Sequence, residues 1–109
     1  MSRYWILFYE YVDDYLERRT PLRPAHFEVA TAAAAAGELV LAGAYADQPP
    51  GAALVFHADD VATVERFVAS DPYVREGLVT SWRIREWTVV AGASLPSRPD
   101  PSDDRGGAR

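Results

Sequence analysis

The chain has 109 residues, 49% hydrophobic and 25% charged, a soluble globular composition with room for one domain and no second core. It carries no cysteine and only two histidines, which excludes disulfides, thiolate metal sites, cysteine nucleophiles and a His-rich metal cage. Eleven basic residues against sixteen acids leave a net charge of −5, which repels a phosphate backbone, so nucleic acid is not an expected partner.

Every basic residue is arginine, which removes Schiff-base lysine chemistry. The opening run Tyr4 to Tyr9 is apolar but stops at Glu10, too short for a secretory core or a membrane span. The expected setting is the reduced cytoplasm, with no membrane partner. The last seventeen residues, 93–109, are almost wholly Pro, Ser, Asp, Gly and Arg. They bury too little apolar surface to offset the entropy of ordering, so they are expected to form a solvated, disordered tail behind a folded domain of residues 1–92.

Tyr4 to Val12 is aromatic and β-branched and reads as a strand. Both alternating sets are apolar: Tyr4, Ile6 and Phe8 on one face, Trp5, Leu7, Tyr9 and Tyr11 on the other. Such a strand is covered on both sides. Asp13 to Pro24 reads as a polar connection. From Ala25 the run HFEVATAAAAA is a strong helix former, with Gly37 placed for a left-handed C-cap and a predicted stripe of Phe27, Ala30 and Ala34. Small side chains let such a helix lie close on a sheet.

Glu38 to Tyr45 reads as a second strand, Gly43 marking a bulge or a close backbone approach. A tight turn over Ala46 to Gly51 makes it a hairpin with a third strand, Ala52 to His57. Asp59 or Asp60 then caps a helix with Val61, Val64, Phe67 and Val68 on one face. Asp71 to Gly77 adds a helical turn, and Leu78 to Val90 a last strand. Two right-handed crossovers put both helices on one side. The predicted fold is a ferredoxin-like βαββαβ sandwich with one bare sheet face, on which Trp5, Tyr9 and Tyr11 would form an exposed patch beside Arg83 and Arg85. A patch of that kind marks an interface, and a two-fold homodimer packed sheet to sheet is expected.

Three residues carry candidate chemistry. His26 lies near a helix entrance, which suits a neutral imidazole able to accept a proton; the bland alternative is a half-buried histidine satisfied by a carbonyl. Asp71 precedes Pro72, the backbone setting of an N-cap, so it either caps the turn or orients an imidazole. Arg23 falls three residues before His26, so a helical register would bring the two side chains to neighbouring positions, with Arg23 placed to clamp an anion or to pair with Asp13, Asp14 or Glu17. His57 receives no role, and a solvated or capping position is expected. No phosphate loop, nucleophile elbow or zinc-binding helix motif is present.

The segments Arg23-Pro24-Ala25-His26-Phe27, Leu41-Ala42-Gly43 and Ser70-Asp71-Pro72-Tyr73, followed by Glu76-Gly77-Leu78, resemble the YciI-like (YCII-related) family from Arg3 to Val90. The resemblance implies a ferredoxin-like fold of the dimeric α+β barrel type. It also implies an active site pairing a histidine and an aspartate, matched here by His26 and Asp71, with an arginine matched by Arg23. The loop Asp47 to Gly51 is shorter than in the family, and Ala44 stands where a proline often follows Leu-Ala-Gly. One branch of the family carries out a lyase-like or dehydrohalogenase-like acid–base step. The leading expectation is therefore a cofactor-independent, metal-free acid–base enzyme acting on a small anionic or enolic molecule. Two alternatives stand beside it: a ligand-binding or accessory dimer without turnover, and a purely structural role for both residues.

Overall fold

Strand β1 (Arg3–Tyr11) occupies the middle of a four-stranded antiparallel sheet, in a computed structural model that describes residues 3–92. The expected tail lies outside the described residues. Along the chain follow α1 (Tyr15–Arg18), α2 (Arg23–Ala35), β2 (Leu39–Ala44), β3 (Gly51–Ala58), α3 (Val61–Ser70), α4 (Pro72–Arg75) and β4 (Val79–Trp87). The sheet order is β2-β3-β1-β4 with every neighbour antiparallel, so the fold is the ferredoxin-like α+β sandwich expected from the sequence.

Alternation along β1 divides the molecule. Trp5, Leu7 and Tyr9 point under the helices and are buried, meeting Leu54 and Phe56 from β3 and Val64, Phe67 and Val68 from α3. Phe56 and Phe67 pack edge to face, their centroids 5.1 Å apart. The buried Trp5 indole donates to the Ala58 carbonyl at 3.1 Å, so its polar edge is satisfied. Tyr4, Ile6 and Phe8 lie on the other, helix-free face beside Val55, His57, Arg83 and Arg85.

The expected bare face is therefore present, but with the other half of β1. Trp5, Tyr9 and Tyr11 belong to the helix-covered side, and the set on the helix-free side is Tyr4, Ile6 and Phe8, each half-buried. Both halves are apolar, so hydropathy alone does not decide which one the helices cover. His57 sits half-buried on the open face, stacked on Tyr4 at 4.5 Å, and does not cap the helix that follows.

The stripe of α2 is also rotated from its predicted position. Ala33 is buried and His26, Val29 and Ala30 are half-buried, an i, i+3, i+4, i+7 set, whereas Phe27 and Ala34 are exposed. In a helix this rich in alanine several faces are nearly equivalent, and the larger Val29 and His26 select the inward one. Gly37 takes φ +81°, and the bonds from Gly37 N–H to the Ala34 carbonyl and from Glu38 N–H to the Ala33 carbonyl close a Schellman end. Asp60, not Asp59, caps α3, accepting from the Ala62 N–H at 2.9 Å.

Gly43 is neither a bulge nor a close approach. Open space surrounds the position of its absent Cβ, and the β2 register shifts instead between Leu39 and Leu41. The close approach falls at Gly51, where a Cβ would run into the Tyr9 carbonyl and the Tyr45 ring. The predicted polar connection contains the single turn α1, whose Tyr15 packs on Tyr11 with centroids 4.8 Å apart.

Candidate functional site

Asp71 is the hinge between two helices, ending α3 and beginning α4 with an extended backbone at φ −75° and ψ 119°. Pro72 enforces that conformation, and the Asp71 carboxylate turns back to accept the Tyr73 N–H at 3.0 Å. The same oxygen, Oδ1, lies 2.7 Å from His26 Nδ1. The second oxygen, Oδ2, accepts the Tyr9 hydroxyl at 2.7 Å. Capping and imidazole binding are thus not alternatives here, because one carboxylate does both. Asp71 is wholly buried, yet both its oxygens are engaged.

His26 reaches this carboxylate because α2 presents it on the inward stripe. A carboxylate accepts, so Nδ1 is the donor, and Nε2 is left as the free ring nitrogen. The imidazole is held flat against the Tyr73 ring, with centroids 3.8 Å apart and planes inclined by 5°. The ring is thereby fixed both by a charge-assisted bond along its edge and by stacking on its face.

A cleft of about 270 Å³ opens on His26, between α2, the aromatic residues Tyr11 and Tyr73, and the small side chains of β2 and β3. Arg19 and Arg23 stand at it as well. Arg23 lies over the Phe27 ring at 5.0 Å and forms no ion pair with Asp13, Asp14 or Glu17. Among the described residues no group of three or more His, Cys, Asp or Glu side chains is placed to hold a metal ion.

Burial, reinforced by the neighbouring Asp71 carboxylate, pushes the Tyr9 hydroxyl far above the ordinary tyrosine range. It remains a neutral donor to Asp71. Burial likewise raises Tyr11 and Tyr73, the nearby arginines opposing it in both cases. A tyrosine raised on folding contributes stability that is intact below its unfolded pKa, near 10.0, and lost as the pH climbs beyond it. Unfolding free energy is therefore expected to fall above about pH 10, by up to about 1.4 kcal/mol per pH unit for Tyr9 alone. Denaturant titrations between pH 9 and 11 should show a shallower slope in Tyr9→Phe, by about half a proton at about pH 10 and approaching one at about pH 11. Parallel slopes in the two proteins would disprove this assignment.

Tyr9, Tyr73 and Arg19 carry no functional role in the sequence reading. A tyrosine among the inward residues of an apolar strand does signal a hydroxyl in need of a buried partner, which locates Tyr9 in retrospect. Arg19 gives no such signal, because its place at the cleft follows from the fold of α1.

Comparison with known proteins agrees with this architecture. The dehydrochlorinase TftG of Burkholderia phenoliruptrix AC1100, which acts on 5-chloro-2-hydroxyhydroquinone and was solved with 2,5-dihydroxybenzoquinone, superposes with a TM-score of 0.68 at 18% identity. The match covers 78% of this chain and 93% of that one. PA3566 of Pseudomonas aeruginosa matches with a TM-score of 0.52 at 14% identity, covering 83% of this chain and 95% of its own. Rv0793 of Mycobacterium tuberculosis matches with a TM-score of 0.52 at 16% identity, covering 86% of this chain and all of the other. At these identities the likeness is one of fold. No curated protein matches the sequence. No helix among the described residues is long and apolar enough to cross a membrane. The sequence matches the YCII-related domain over residues 3–88, most of its length, and the chain belongs to that family.

Proposed function

We propose that the chain is a small acid–base enzyme, working without a cofactor on a small anionic or enolic ligand. One observation carries the reading: an imidazole clamped at 2.7 Å to a fully buried carboxylate, on a residue that lines a cleft. His26 Nε2 takes a proton from a ligand hydroxyl and returns it to a ring carbon; where that carbon bears chlorine, chloride then leaves with the C–Cl electron pair as the ring loses HCl overall and becomes a quinone. Asp71 fixes the tautomer and stabilises the imidazolium formed in between. Arg23 neutralises the enolate or phenolate that deprotonation leaves. The substrate named for TftG is itself an acidic hydroxylated ring, which supports this ligand class.

The test is chloride release from 5-chloro-2-hydroxyhydroquinone, followed with the wild type and with His26→Gln. The wild type is expected to exceed the buffer rate, and the variant to lose about 10²–10⁴-fold. A wild-type rate equal to buffer, with tight binding of the compound, would leave a binding module in place of an enzyme.

We also propose that two copies pack through the open sheet face as a two-fold homodimer. Tyr4, Ile6, Phe8 and Val55 form an apolar field there with no helix above it among the described residues, and Leu41 at its edge is 64% exposed. Sedimentation at micromolar concentration is expected to give twice the chain mass of 12.0 kDa. Ile6→Arg should shift it to the single-chain mass, and a wild type already at that mass removes the dimer.

A further inference from the structure

We propose that the cleft selects a planar ring bearing two acidic oxygens, one held by Arg23 and the other by Arg19. This rests on the acid–base reading above and adds a second, unassigned contact to it. Arg19 is the C-cap of α1, half-buried at the cleft. Its guanidinium lies 5.6 Å above the Tyr15 ring, and among the described residues its side chain has no hydrogen bond or ion pair. A partly desolvated cation without an anion is unfavourable, and an arginine in that state is normally paired. A ligand oxygen in the cleft would supply the missing charge.

Arg23 at the same cleft, more exposed than Arg19, likewise has no carboxylate partner among the described residues. The carboxylate behind His26, Asp71, is wholly buried and committed to His26, Tyr9 and Tyr73. Two unpaired cations therefore face a space whose anionic capacity is unfilled. Each guanidinium is a planar fork suited to an enolate or carboxylate oxygen. The remaining walls are flat or small, with Tyr11, Phe27 and Tyr73 among the aromatic residues and Ala42, Ala44 and Ala52 among the small ones. A volume of about 270 Å³ suits one substituted ring. Both arginines also act on the Tyr73 hydroxyl, lowering its pKa against the larger effect of burial, so their fields converge at one wall of the cleft.

The experiment compares two quinones differing by one acidic hydroxyl, 2,5-dihydroxybenzoquinone and 2-hydroxy-1,4-benzoquinone, titrated into the full-length protein at neutral pH. The wild type is expected to prefer the dihydroxy compound by about tenfold or more, the size of one charge-assisted contact. Arg19→Gln should reduce that preference to within about twofold by weakening only the dihydroxy compound, whereas Arg23→Gln should weaken both. A merely structural role for Arg19 would change both affinities together and leave their ratio intact, and that outcome overturns the proposal alone. If neither quinone binds the wild type, the acid–base reading falls and the proposal with it.

Discussion

Asp71→Asn is expected to lower kcat/KM by about 10³–10⁴-fold while moving Tm by only a few degrees. The asparagine oxygen can occupy the Oδ1 position, still accepting from the Tyr73 N–H and from His26 Nδ1. Its amide then faces the Tyr9 hydroxyl, which rotates to accept instead of donate. Asn and Asp rank alike as N-caps, so the start of α4 survives. What disappears is the negative charge behind the imidazole, and with it the stabilisation of the protonated ring during turnover. Turnover by the variant within about threefold of wild type would exclude Asp71 from the chemistry.

Asp71→Ala is expected to act on a different quantity. Removal of the carboxylate strands the Tyr9 hydroxyl, the Tyr73 N–H and the His26 Nδ1–H in a region where Asp71 itself is wholly buried. A stranded buried donor costs about 1–3 kcal/mol and the lost cap about 1 more. Partial relaxation, with water reaching His26 from the cleft, leaves an expected loss of roughly 3–5 kcal/mol. For a domain of this size that corresponds to a fall in Tm of about 15–30 °C. Scanning calorimetry on both variants separates charge from hydrogen bonding: a large drop for alanine beside a small one for asparagine. Equal drops would mean that the charge itself holds the fold together.

The order and type of elements were legible because each local signal agreed with the next. Pro72 after Asp71, Gly37 after the alanine run and the apolar strand at the start each pointed to one structure. Faces were less legible. Trp5 and Tyr4 are both large and aromatic, and the choice between their sides depends on where two crossovers place the helices, which is a property of the whole chain. The phase of α2 suffered likewise, since alanine at most positions gives a helix little preference for one side.

The candidate site was legible in its parts and not in its assembly. His26 and Asp71 stand 45 positions apart, and only the family resemblance brought them together in advance. Their third companion came from the opposite end of the fold. Tyr9 reaches Asp71 across 62 positions, through a hydroxyl that the strand pattern records only as one more inward aromatic residue.

Strand β1 also constrains how this chain can change over evolutionary time. Its odd-numbered side chains serve the carboxylate and the core, while its even-numbered ones make up the open field, so the two duties are interleaved residue by residue. One extra residue before Tyr9 would turn a hydrocarbon ring toward Asp71 and carry a hydroxyl to the outside. Length variation is thus barred from the centre of the sheet. The edge strand β2 already contains a register shift beside Leu39, and there an added or lost residue disturbs neither duty.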